Sequence, residues 1–266
     1  MKSLKLNNMK VYKIILPFLF VFIATSSCVQ TSTQEKPQTS LKLELTELHP
    51  GILEGYLSEE ELPNSLLLVS PPPREGSAAF ALDQEMATMY VAIDDEERKI
   101  QATKDANLHF PEATEAFNII LKTNISEETT PNLYMILRRT LADAGLSTYA
   151  AKNHYQRNRP FMVNNTPICT PEEEEGLRKD GSYPSGHTAI GWAWALILAE
   201  VFPEQADEIF KRGKEFGISR NVCNVHWYSD VVAGRMMGAA TVAKLHANKQ
   251  FRIDLEAAKQ ELKRNN

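Results

Sequence analysis

The sequence predicts an all-α fold in a single domain, and three observations support this prediction. From Ser77 onward, apolar residues recur at helical spacing, and several of these runs begin with residues that suit a helix start. No segment of useful length alternates apolar and polar residues as a half-buried strand would. The 266-residue chain also carries no internal repeat and no glycine-rich nucleotide-binding loop.

The expected helices are placed by apolar spacing and by their first or last residues. Thr130 and Pro131 mark one start, because Thr caps helices and Pro suits the first turn, and Gly145 marks the end of the same helix. Residues 161–183 are expected to form a loop. The expected helices cover residues 77–90, 94–107, 111–121, 131–145, 147–157, 185–201, 203–216, 225–247 and 251–263.

The N-terminus predicts export. Residues 1–27 read as a signal peptide, in which lysines precede the apolar run at 14–24 and small residues precede Cys28. The apolar run is too short for a membrane span. Cys28 resembles a bacterial lipoprotein cleavage site, and the alternative is an ordinary secretory signal with an incidental cysteine. Translation can start at Met1 or Met9, and the sequence does not distinguish them.

The mature chain is expected to be periplasmic or anchored by a lipid to a bacterial membrane. Residues 28–45 are polar and predict a flexible tether, and residues 46–266 predict the all-helical domain. Two further cysteines, Cys169 and Cys223, favour one disulfide because exported proteins meet an oxidising compartment. The alternative is a pair of buried thiols.

The composition indicates a globular protein that does not bind nucleic acid. Hydrophobic residues make up 43% of the chain and charged residues 24%, as in folded globular proteins. The net charge is −5, and the lysines of residues 1–27 leave the rest of the chain still more acidic. Because nucleic-acid binding depends on basic surfaces, any phosphate site here must be a local cluster of cations.

A short polar stretch, Pro184 to His187, stands directly before an apolar expected helix. The first amides of a helix lack partners within it and carry partial positive charge, which makes the helix start an anion site. Ser185 can donate its hydroxyl hydrogen, and Gly186 lets an anion approach the backbone. His187 can give a proton near neutral pH, so the stretch predicts a site for an anionic substrate.

Three cations and a second histidine supply the other groups of this site. Lys152 and Arg159 are seven residues apart, a spacing that predicts one helix face, and Arg220 is the third cation. His226 and Asp230 are four apart in an expected helix, so the carboxylate can accept the Nδ1 hydrogen and leave Nε2 free to attack.

Together these groups fit phosphoryl transfer. The cations, the Ser185 hydroxyl and the Gly186 amide are the expected phosphate ligands. His226 is the expected nucleophile, oriented by Asp230, and His187 is the expected acid for the leaving alkoxide. No metal or other cofactor is expected, because the cations supply the positive charge and the two histidines lack a third ligand at metal spacing.

Three stretches carry a family resemblance: residues 152–160, 184–187 and 219–230 match the signature of the type 2 phosphatidic acid phosphatase superfamily. From about Tyr56 to Lys263 the chain resembles a bacterial class A non-specific acid phosphatase. The resemblance implies a single-domain helical bundle of the acid phosphatase and vanadium haloperoxidase type. It also implies metal-independent hydrolysis of small phosphomonoesters through a phosphohistidine, phosphotransfer to alcohols, and homo-oligomers.

Three alternative functions share parts of this signature. A vanadium-dependent haloperoxidase would use the same cations to hold vanadate. A membrane-embedded lipid phosphatase would carry the motifs between spans, but the helices here are amphipathic or interrupted by charge. A non-catalytic phosphate-binding protein would need neither the nucleophile His226 nor the acid His187.

Overall fold

The structure is a computed structural model that describes residues 38–121 and 123–265. The predicted signal peptide and Cys28 lie outside these residues. The described chain has a hairpin of β1 (Glu47–His49) and β2 (Ile52–Leu53). Its α-helices are α1 (Ser65–Leu68), α2 (Ala78–Val91), α3 (Glu96–Lys104), α4 (Glu115–Leu121), α5 (Pro131–Leu146), α6 (Tyr149–Tyr155), α7 (Pro160–Asn164), α8 (Glu174–Leu177), α9 (Gly186–Val201), α10 (Ala206–Val222), α11 (Tyr228–Leu245) and α12 (Lys249–Asn265). Single 3-10 turns cover Ser40–Lys42, Glu112–Thr114, Pro171–Glu173 and Pro203–Gln205.

Helix α9 forms the centre of the fold because it is apolar on almost all sides. It packs most extensively against α10 and α11, and then against α5. Small residues allow this close approach: a Cβ on Gly191 would lie 2.2 Å from the Phe216 ring. The buried Trp194 donates its indole N–H to the Leu137 carbonyl at 3.0 Å, which ties α9 to α5.

The start of α9 is held against α11, and this contact positions the site. The Ser185 hydroxyl caps α9 by accepting a hydrogen bond from the Thr188 amide at 3.3 Å. A Cβ on Gly234 of α11 would lie 2.5 Å from the Ser185 carbonyl oxygen. The Ser185 amide also donates to the Asp230 carbonyl at 3.0 Å. The helix start that was predicted from Pro-Ser-Gly-His is therefore confirmed.

Several expected boundaries are wrong because single residues reverse the chain. Helix α6 ends at Tyr155, since Gln156 adopts a left-handed conformation with φ 42°. Helix α11 begins at Tyr228 rather than residue 225, because Asn224, at φ 61°, turns the chain between α10 and α11. Helix α5 runs past Gly145 to Leu146, and the hydroxyl of Thr130 caps no amide.

Short elements were missed wherever the sequence signal was too brief. The expected loop at 161–183 contains most of α7, all of α8 and one 3-10 turn. The hairpin of β1 and β2 has strands of three and two residues, too short to show alternation. The all-α prediction is otherwise confirmed, since the described chain is predominantly helical.

The C-terminal end of the expected tether is docked, which corrects the prediction for residues 38–45. Ser40 is buried, and its amide donates to the Asp254 carboxylate of α12 at 2.9 Å. Arg139 of α5 donates to the Ser40 hydroxyl at 2.7 Å. These buried polar contacts fix the segment to α5 and α12.

A disulfide joins Cys169 to Cys223, as the sequence favoured. It fastens the segment between α7 and α8 to the end of α10, only three residues after Arg220. Within the described chain, no helix combines the length and the apolar character that crossing a membrane requires.

Candidate active site

Separate chain segments bring the predicted site residues together. Lys152 lies in α6, Arg159 directly precedes α7, and Arg220 lies in the last turn of α10. Ser185–His187 form the start of α9, and His226 stands just before α11. Burial, followed by the charges of Arg159, Lys152 and Arg220, holds the pKa of His226 well below its ordinary value, and Nη1 of Arg159 lies 3.2 Å from its Nε2.

His226 and Asp230 are paired, although not on one helix face as expected. His226 precedes α11, and Asp230 lies in its first turn with Oδ2 at 3.3 Å from His226 Nδ1. The same oxygen accepts a hydrogen bond from the Trp227 amide at 2.9 Å. This amide stands at the helix start, where it would otherwise lack a partner. Burial raises the pKa of Asp230 to about 6, so the carboxylate is charged at neutral pH.

The hydrogen bonds of His226 determine which ring nitrogen carries the proton. Its Nε2 lies 3.2 Å from Nη1 of Arg159, a group that can only donate, so Nε2 presents its lone pair. Nδ1 therefore carries the hydrogen and donates it to Asp230. Asn221 donates to the His226 carbonyl at 2.9 Å and holds the backbone. The ring is thus held in the tautomer that a nucleophile at Nε2 requires.

Arg220 is a fully buried guanidinium with no hydrogen-bond partner. Its relative exposure is 0%, and none of Nε, Nη1 and Nη2 finds an acceptor among the described residues. Burial lowers its pKa to about 10, which still leaves it charged at neutral pH. An unpaired buried charge is costly, so this geometry fits a site that awaits an anion.

Lys152 and Arg159 converge on a residue that the sequence analysis did not assign, Asp180. Lys152 Nζ lies 2.7 Å from Asp180 Oδ2, and Nη2 of Arg159 lies 3.1 Å from the same oxygen. Burial and then Arg159 lower the pKa of Lys152, and the Asp180 charge opposes both. The expectation of one helix face is wrong, because α6 ends before Arg159, but the two cations do meet.

His187 faces the same cations from the start of α9. Its Nε2 lies 3.0 Å from the Ala106 carbonyl oxygen, and because a carbonyl only accepts, Nε2 carries a hydrogen. Burial and then the Arg220 charge hold the pKa of His187 well below its ordinary value. At neutral pH this histidine is therefore neutral, and an anion beside it would raise its pKa again.

Ser185 and Gly186 lie where α9 meets α6. The Ser185 hydroxyl is buried and accepts a hydrogen bond from the Thr188 hydroxyl at 2.9 Å. A Cβ on Gly186 would lie 3.9 Å from Cε of Lys152, so a side chain here would stand between the helix start and the lysine. Glycine keeps this space open.

Comparison with known proteins shows the family of this chain. The profile of the PAP2 superfamily matches residues 133–254, a range that contains the predicted catalytic and phosphate-binding residues. A "Non-specific acid phosphatase" of Providencia stuartii is 43% identical over 207 residues, covering 77% of this chain and 84% of the relative. The chain belongs to the PAP2 superfamily. The predicted resemblance to bacterial class A acid phosphatases, and with it the expectation of a phosphatase, is confirmed.

Two further relatives carry similar names. An "Acid phosphatase" of Zymomonas mobilis is 41% identical and covers 75% of each chain. A "Non-specific acid phosphatase" of Salmonella typhimurium is 39% identical and covers 79% of this chain and 84% of the relative. Among solved structures, a bacterial vanadium-dependent iodoperoxidase overlaps with a TM-score of 0.48 at 22% identity, over 67% of this chain and 53% of that chain.

This PAP2 chain also uses two residues that sequence reasoning missed. Arg157 donates to Oδ1 of Asp230 at 2.6 Å and to Oδ2 of Asp83 at 2.7 Å. Asp83 in turn accepts the Ser229 amide at 2.8 Å, so α2 buttresses the start of α11. Arg157 balances the second oxygen of Asp230, leaving Oδ2 for His226. The signal that could have found it is the additional arginine two residues before Arg159.

The chemistry, rather than the size of a cavity, locates the site in this PAP2 fold. A groove of about 1040 Å³ lies between α3 and α4 and contains none of the predicted phosphate ligands. We place the site at Arg220 instead. Its buried, unpaired charge is costly unless an anion binds, whereas the volume of a groove does not indicate any particular ligand. In residues 38–121 and 123–265 no group of three or more His, Cys, Asp or Glu side chains could hold a metal ion.

Proposed function

We propose that this chain is an exported acid phosphatase that hydrolyses phosphomonoesters through a covalent phosphohistidine on His226, without a metal. The observation that carries the proposal is that the unpaired Arg220 lies beside His226, whose amide donates to the Arg220 carbonyl at 3.2 Å and whose Nε2 presents a lone pair. One group demands an anion, and the other is a nucleophile held in its reactive tautomer. The names of the relatives support phosphate esters as substrates.

Substrate phosphate would bind among the three cations. Its oxygens would accept hydrogen bonds from three cations, Lys152, Arg159 and Arg220. They would also accept hydrogen bonds from the Ser185 hydroxyl and the Gly186 amide. Phosphate would provide hydrogen-bond acceptors for Arg220. Folding already bears the free-energy cost of burying this charge, so the new contacts favour binding strongly.

The first chemical step forms a bond from His226 Nε2 to phosphorus and breaks the bond from phosphorus to the ester oxygen. Asp230 stabilises the imidazole as it becomes positive, and Arg157 keeps that carboxylate in place. Bound phosphate raises the pKa of His187, which takes up a proton from solvent and then donates it to the leaving alkoxide. The alcohol departs with that proton.

The second step reverses these roles with water. Neutral His187 takes a proton from water, the hydroxide attacks phosphorus, and the bond to Nε2 breaks with its electron pair returning to His226. An alcohol in the place of water would accept the phosphoryl group, so we propose phosphotransfer as a side reaction. Export, periplasmic or lipid-anchored location at Cys28, and self-association stay predictions.

The test is hydrolysis of p-nitrophenyl phosphate by the purified mature chain with and without EDTA. We expect turnover that EDTA leaves unchanged and vanadate inhibits, and turnover lost in His226→Ala. His154→Ala is the matched control, because this exposed histidine lies in α6 outside the site and its loss should change nothing. Activity that requires an added divalent metal, or that survives His226→Ala, would overturn the proposal. Bromide oxidation with vanadate and peroxide, in place of hydrolysis, would favour a haloperoxidase.

A further inference from the structure

A carboxylate already occupies part of the predicted phosphate site. Oδ2 of Asp180 lies 2.7 Å from Lys152 Nζ and 3.1 Å from Nη2 of Arg159. This single oxygen therefore pairs with both cations, as an oxygen of a bound phosphate would. Lys152 and Arg159 are buried, with relative exposures of 4% and 1%, whereas the Asp180 side chain is 36% exposed. No other carboxylate of the described chain forms a salt bridge with either cation.

This contact borders the reacting atoms. The guanidinium that Asp180 holds is the one whose Nη1 lies 3.2 Å from His226 Nε2. An anion with its phosphorus within reach of Nε2 must therefore use Arg159, and it meets Asp180 there. If the Asp180 carboxylate and a phosphate both contacted Lys152 and Arg159, the two anions would repel each other.

The two cations keep other anchors when the carboxylate leaves. Lys152 Nζ donates to the Gly181 carbonyl at 2.7 Å. Nε of Arg159 donates to the Leu177 carbonyl at 2.8 Å, and Nη1 donates to the Val225 carbonyl at 2.9 Å. Because backbone carbonyls hold both side chains, the carboxylate is not needed to position them, and it is free to move into solvent.

We propose that Asp180 is a built-in competitor of the substrate: its carboxylate neutralises Lys152 and Arg159 in the empty site and releases them when phosphate binds. The inference rests on the proposed function and adds a residue that sets phosphate affinity. The groups that face Asp180 are Lys152 and Tyr149 from α6 and Arg159 from the start of α7.

The experiment is calorimetric titration of the mature chain with inorganic phosphate at neutral pH, in wild type and Asp180→Asn. At neutral pH we expect about ten-fold tighter phosphate binding in Asp180→Asn, since two charge-assisted contacts no longer compete.

Two variants keep the result interpretable. Glu175→Gln also removes one negative charge nearby, but Glu175 pairs only with Lys179, so phosphate affinity should stay unchanged. Asp180→Ser should behave like Asp180→Asn and replaces it if that variant fails to fold. Equal or weaker phosphate binding in both Asp180 variants, or equal tightening in Glu175→Gln, overturns the inference. If wild type binds phosphate but does not hydrolyse p-nitrophenyl phosphate, the proposed function fails while the competition is still measured.

Discussion

Replacing Arg220 by methionine should make the empty protein more stable and at the same time remove its phosphate affinity. The guanidinium is fully buried with no acceptor in the part of the chain that the structure describes, and burial lowers its pKa to about 10. That shift corresponds to roughly 3 kcal/mol against the charged form in the folded state. Methionine fills a similar volume without a charge, so we expect the free energy of unfolding to rise by about 1–3 kcal/mol.

The assay is denaturant or thermal unfolding with and without inorganic phosphate. For a domain of this size, each 1 kcal/mol moves Tm by about 2–4 °C. Phosphate at about 100 times its Kd should add about 2.7 kcal/mol to wild type and nothing to Arg220→Met. If Arg220→Met unfolds more easily than wild type in the absence of phosphate, the guanidinium has structural contacts and the reasoning fails.

Arg212→Met is the matched control for this experiment. Arg212 lies in the same helix and is also buried, but its guanidinium pairs with buried Asp105 and donates to the Ala116 carbonyl at 2.7 Å. Its replacement leaves Asp105 buried without its cation and should cost about 3–5 kcal/mol. The two arginines of α10 should therefore respond with opposite signs.

Three further predictions concern the reaction. His187→Ala should lower kcat by about 10²–10⁴-fold for alkyl phosphates and much less for p-nitrophenyl phosphate, because a good leaving group needs no acid; equal losses would refute the acid role. Asp230→Asn should cost less kcat than His226→Ala, in a comparison on one substrate, because the nucleophile remains; an equal loss would contradict this. In the free enzyme, the His226 imidazole should stay neutral well below pH 6.5, because burial lowers its pKa, while Asp230 takes up a proton near pH 6. A protonation of His226 near pH 6.5, followed by NMR of its ring hydrogens, would contradict the lowered pKa.

The parts of the site that the sequence predicted are those encoded in short stretches. Ser185, Gly186 and His187 stand in a row before an apolar run, so the cap and the helix start could be read directly. The pairing of His226 with Asp230 was predicted from a helical spacing that the structure does not have. It holds because the carboxylate reaches back from the first turn of α11.

The parts that could not be predicted depend on contacts between distant segments. Asp180 meets Lys152 across 28 positions, and Asp83 meets Arg157 across 74. An aspartate in a polar stretch gives no sign of which cation it will contact once the chain has folded. Ser40 shows the same limit, because its polar neighbours in sequence suggested a tether while its partner, Asp254, lies at the other end of the chain.

The most direct measurement is the detection of phosphate on the enzyme during turnover. The chain would be mixed with a good phosphomonoester, quenched rapidly under conditions that preserve phosphohistidine, and mapped by mass spectrometry. The account predicts one acid-labile phosphoryl group, on the imidazole of His226, which builds up further when His187→Ala slows its hydrolysis. Phosphate on any other side chain, or turnover without a phosphoenzyme, would contradict the account.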